Sequence, residues 1–105
     1  MEINNIVELA TTVRDGVVFV DFMTTWCAPC MRFLSIADRF QEALPVDVKF
    51  LTVDIDKVPE VKDVYEITKI PTFLIFKDGI EKYRQEGSFT TIAELVAQTV
   101  KVQTI

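Results

Sequence analysis

The sequence predicts an α/β fold, and three observations carry that prediction. Val17-Val18-Phe19-Val20-Asp21-Phe22 is apolar on both faces, which suits a central strand covered on both sides. Segments of helical periodicity alternate with such strand-like runs. Near the C-terminal end, Lys77-Asp78-Gly79 joins two strand-like runs as a hairpin turn would. The expected architecture is one domain, residues 1–105, with a central mixed sheet of four to five strands in a three-layer arrangement. The sheet is parallel at its centre and antiparallel in the C-terminal hairpin, with about four helices on its two faces.

Taken in order, residues 5–14 place Ile6, Val7, Leu9, Ala10 and Val13 at helical spacing, and Asp15-Gly16 closes the segment. The first strand follows at 17–22. From about 29 to 43, Phe33, Leu34, Ala37 and Phe40 form the apolar stripe of one helix. Residues 48–55 are a second strand, and Pro59 starts a short helix through about 66. After Pro71 come a strand at 72–76, the Asp-Gly turn and a strand of mixed polarity at 80–86. Gly87 ends the hairpin. A last helix at 91–102 puts Ile92, Leu95, Val96 and Thr99 on one face. Whether Glu2-Ile3-Asn4 adds an edge strand is left open by its pattern.

Composition narrows the chemistry. Half of the residues are hydrophobic, which excludes intrinsic disorder. Eleven basic against sixteen acidic residues give a net charge of −5, and such a surface repels a phosphate backbone, so no nucleic-acid partner is expected. No apolar run approaches the ~18 residues of a membrane span, and the N-terminus has neither part of a signal peptide. A complete, cytoplasmic chain is the expectation. With no histidine and only two cysteines, His-based catalysis is excluded and no metal site is expected. Covalent chemistry must use the thiols of Cys27 and Cys30.

These two lie in Trp26-Cys27-Ala28-Pro29-Cys30, between the first strand and the next helix. Thiols three positions apart in a helix's first turn have Cβ atoms roughly 5–6 Å apart, so a disulfide needs only small rotamer changes. The ring it closes is too short to stabilise the fold much, which makes the pair a switch. A zinc ribbon would need a second ligand pair. Cys27 sits at the helix N-terminus, where unpaired N–H groups favour a thiolate, and is the expected nucleophile. Cys30, inside the helix among apolar residues, is the expected resolving thiol. Pro29 suits the first turn because its missing N–H would be unpaired there.

Asp21 is out of place. Strand alternation puts it on one face with Val17 and Phe19, and burying an unpaired carboxylate is costly. Its pKa should be raised, so that it can accept a proton near neutrality.

Over nearly its whole length the chain resembles the thioredoxin family. The matching residues are Val20-Asp21-Phe22, Trp26-Cys27-Ala28-Pro29-Cys30, Asp54-Ile55-Asp56, Ile70-Pro71-Thr72-Phe73, Phe76-Lys77-Asp78-Gly79 and Gly87. The resemblance implies a thiol–disulfide oxidoreductase that reduces protein disulfides as an electron donor. Pro71 would be the family's cis-proline against the Cys pair, and Ile70 would offer backbone hydrogen bonds to an extended substrate. Trp26, Ala28, Pro29, Ile70 and Pro71 would form the substrate-binding rim. Asp21 would serve as proton acceptor and donor for the resolving thiol. No bound cofactor is implied. The partners implied are disulfide-containing proteins and a thioredoxin reductase fed by NADPH through a flavin, with the chain itself a monomer.

Four positions depart from the family's pattern: Ala28 for the usual Gly, Ser35 for a helix-kinking proline, Met23 for a second tryptophan, and Thr52 for the lysine beside the buried aspartate. Two rival readings remain: a disulfide oxidase or isomerase, and a docking subunit that uses the apolar rim.

Overall fold

The computed structural model describes residues 1–89 and 91–105. Five strands form one sheet: β1 (Glu2–Ile3), β2 (Val17–Met23), β3 (Lys49–Asp54), β4 (Thr72–Lys77) and β5 (Ile80–Glu86). Their spatial order is β1-β3-β2-β4-β5. β3 runs parallel to both β1 and β2, whereas β4 is antiparallel to β2 and β5 to β4. The open question at the N-terminus is thereby answered. Glu2 and Ile3 pair with Thr52 and Val53, and Ile3 is fully buried.

All seven residues of β2 are buried, as a strand covered on both faces requires. Its even positions Val18, Val20 and Phe22 pack with Leu51, Val53 and Leu74. That side is closed by α1 (Ile6–Thr12), through Leu9, and by α4 (Val61–Val64), through Val61. Its odd positions Val17 and Phe19 face α2 (Ala28–Ser35), α3 (Ala37–Ala43) and α5 (Ile92–Gln103). An aromatic cluster fills this second layer. Phe33 lies 4.8 Å from Phe73, 5.4 Å from Phe40 and 5.1 Å from Phe89 between ring centroids, and Phe19 lies 4.7 Å from Phe40. Such tilted and edge-on pairs gain beyond their area burial.

One expectation needs correction. The helix foreseen at 29–43 is two helices, broken at Ile36 (φ −116°, ψ 7°), so five helices rather than about four flank the sheet among the described residues. The Ser35 hydroxyl donates to the Arg32 carbonyl at 2.6 Å, and the Ile36 N–H reaches Phe33, one residue short of the α-helical partner. A serine hydroxyl bonded back to a carbonyl of the preceding turn favours a bend at such a point. Leu34 is 39% exposed, outside the apolar stripe expected for it, while Phe33, Ala37 and Phe40 are buried. The first and third foreseen helices are shorter than drawn, and Val7 of α1 points to solvent.

The hairpin turn is as foreseen. Asp78 and Gly79 both have positive φ (51° and 85°), the backbone that a two-residue hairpin turn demands. Asp78 also ties the turn to the α1–β2 loop, its N–H donating to the Gly16 carbonyl and its carboxylate accepting the Gly16 N–H.

Phe33 links the helix that carries the Cys pair to the sheet. Phe33→Ala should therefore cost about 3–5 kcal/mol in denaturant unfolding, against under about 1.5 kcal/mol for Phe33→Leu if the cluster repacks. A cost near zero for the alanine variant would show that the ring bears little of the packing.

Candidate active site

The site begins where β2 ends. Past Met23, Thr24 is buried, Thr25 and Trp26 emerge, and Cys27 caps α2 with extended backbone (φ −94°, ψ 113°). Pro29 occupies the first helical turn. Cys27 and Cys30 are joined in a disulfide with Cα atoms 5.2 Å apart, and the Cys27 Sγ accepts the Cys30 amide N–H at 3.3 Å. The two sulfurs are unequal in access: Cys27 retains 7% exposure and Cys30 none.

A second segment closes on the pair. The Ile70–Pro71 peptide bond is cis, and Ile70 packs with Met23, Cys27 and Cys30. Pro71 is held in place as its carbonyl accepts the Gly87 N–H at 2.8 Å. Trp26 is 72% exposed, so it is not a core residue. Its indole N–H donates to Asp56 Oδ2 at 2.9 Å, and the Asp56 N–H donates to Asp54 Oδ1 at 2.9 Å. Asp56 is thus the anchor of the exposed ring. Sequence reasoning noted Asp54-Ile55-Asp56 only as a matching motif, because nothing local signals a contact across thirty residues.

Asp21 lies within β2, two residues before Met23, which packs with the pair. It is fully buried, and neither carboxylate oxygen has a hydrogen-bond partner among the described residues. It shares a sheet face with Phe19 and Met23, the face on which α2 packs. In register beside it stand Thr52 on β3 and Phe73 on β4. Neither is a cation, so burial acts without opposition and pushes the Asp21 carboxyl up to about 8 from an ordinary 3.8. The Thr24 hydroxyl is a further buried oxygen without a partner among the described residues.

The structure thus brings Trp26, Cys27, Cys30, Ile70 and Pro71 to one end of the sheet. A family model described as Thioredoxin matches residues 4–101. The chain belongs to the thioredoxin family. It is a thiol–disulfide oxidoreductase domain, with its Cys pair at the position and spacing of the family's active site. Thioredoxin from Chlamydia trachomatis is 37% identical over 78 residues, 74% of this chain and 76% of that one. Thioredoxin Y1, chloroplastic, from Arabidopsis thaliana is 33% identical over 91 residues, 85% of this chain. The chain spans only 53% of that longer relative. Among solved structures, a thioredoxin from Plasmodium falciparum superposes with a TM-score of 0.84 at 27% identity, covering 95% of this chain and 96% of that one. Of the departures from the family pattern, Ser35 ends α2 just before the break at Ile36, and Thr52 stands in register beside the buried aspartate.

The raised pKa of Asp21 carries a definite sign. The folded chain binds the proton more tightly than the unfolded chain, so stability is lost as pH rises from about 4 and levels off above about 8. Asp21→Asn should be more stable than the parent at pH 9. The difference should grow by up to about 1.4 kcal/mol per pH unit across that window. Urea unfolding from pH 4 to 9 measures it, and a difference independent of pH would place the carboxylate in contact with water or a cation.

Proposed function

We propose that the chain reduces protein disulfides as an electron donor, with Cys27 as nucleophile and Cys30 as resolving thiol. The observation that carries this reading is the asymmetry of the pair: the helix-capping sulfur has the only access, and the buried one lies one turn inside. In the reduced state, amide N–H groups at the start of α2 favour the Cys27 thiolate. That thiolate attacks one sulfur of the substrate disulfide, forming a mixed disulfide and expelling the first substrate thiolate. Cys30 gives its proton to the ionised form of Asp21 and attacks Cys27 Sγ. The second substrate thiolate then leaves, and the Cys27–Cys30 disulfide remains. The chain loses two electrons and the substrate gains two.

Trp26, Ala28, Pro29 and Ile70-Pro71 act as the rim against which an extended substrate segment lies, in the manner of strand addition. Ala28 and Trp26 are exposed and Pro29 and Ile70 half-buried, which supports this role. The cycle closes through a flavin-containing, NADPH-fed thioredoxin reductase, and the 105 residues act as one monomeric unit. We place the reaction in the cytoplasm. Both cysteines belong to the exchange pair, leaving none for the structural disulfides common in oxidising compartments. Among the described residues, no helix is long and apolar enough to cross a membrane.

Cys27→Ser should abolish reduction of a disulfide-bonded protein such as insulin, and Cys30→Ser should accumulate a stable mixed disulfide through Cys27. Trapping through Cys30 in the Cys27→Ser chain would reverse the two roles. The resolving step, followed by single turnover, should quicken as pH rises through about 8 and lose that dependence in Asp21→Asn. Equilibration with glutathione separates donor from oxidase: a potential well above the cytosolic poise, where 30 mV is worth about 1.4 kcal/mol, would favour the oxidase.

A further inference from the structure

Beside the Cys pair runs a groove of about 240 Å³, walled on its apolar side by Trp26, Ile55 and Ile70. Its charged lining is Lys62, Lys69 and Asp56. Asp56 is engaged by the Trp26 indole. The lysines are both exposed, and among the described residues neither forms an ion pair or a side-chain hydrogen bond. Two cations against one carboxylate give the groove's lining a net charge of +1 on a chain whose net charge is −5. Lys62 projects from α4, and Lys69 immediately precedes Ile70, so the charge flanks the segment that packs on the cysteines.

We infer that Lys62 and Lys69 form a subsite for carboxylates, so that disulfides flanked by Asp or Glu are the preferred substrates. The inference rests on the reductase reading and adds a substrate class to it. Position decides which charges matter. At ~0.1 M salt the screening length is about 10 Å, so remote acidic residues are screened while a contact within the groove is not. The rest of the surface repels acidic partners at long range. A preference for acidic flanks must therefore arise in the groove and appear in KM rather than in kcat.

Three disulfide-bonded peptides with one core sequence and Glu, Gln or Lys flanks test it, using the full chain. The Glu-flanked peptide should exceed the Lys-flanked one about three- to tenfold in kcat/KM at ~0.1 M salt, as expected for two exposed charge contacts. The ratio should fall toward one at ~0.5 M salt and should invert in the K62E/K69E variant. Equal rates for the three peptides, a preference for Lys flanks, or a Glu preference surviving in K62E/K69E overturns the subsite and leaves the reductase reading standing. No reduction of any of the three, the Gln-flanked peptide included, overturns the reductase reading itself and the subsite with it.

Discussion

A strand whose side chains are all buried needs a partner on each edge and a layer on each face, and β2 imposes that requirement on everything around it. β3 and β4 satisfy its two edges. α1 and α4 cover the even-numbered side chains, while α2, α3 and α5 cover the odd-numbered ones. The same strand carries Asp21 in its interior and releases the chain into the Trp26–Cys30 turn at its end. The rigidity of the site is thus that of the most enclosed strand of the sheet. Exchange chemistry benefits, since two sulfurs must keep their relative positions through two successive displacements.

Stability and chemistry oppose each other at Asp21. An apolar residue would be cheaper at that position, and the register neighbours Thr52 and Phe73 supply no charge to offset burial. The fold gives up stability at neutral pH and holds there a carboxyl group whose pKa, about 8, lies near that of a thiol. The aromatic cluster around Phe33 supports this arrangement from the other side, packing α2 against the very sheet face that holds the carboxylate. The helix breaks at Ile36, and α2 and α3 both lie on that face.

Access is divided with equal economy. The disulfide lies almost wholly within the protein, and of its two cysteines Cys27 alone reaches solvent. Around that sulfur, the cis Ile70–Pro71 segment and the exposed indole of Trp26 shape a surface that is apolar beside the reacting atoms and cationic farther along.

By itself, the sequence determined the class of fold, the order of strands and helices, the hairpin turn and the thiol pair. Each is written in local signals: apolar runs of period 2 or 3.6, Asp-Gly at positive φ, and two cysteines at the start of a helix. Asp21 was legible too, because a carboxylate within an apolar run contradicts its surroundings. The tertiary structure alone decided the rest. It broke one helix into two at Ile36, a break that periodicity does not encode. It added the two-residue β1, whose pairing with β3 depends on residues fifty positions away. It joined Asp56 to Trp26 across thirty residues. Contacts of this kind arise from how separate elements pack, and a pattern read along one chain carries no record of distances between its distant parts.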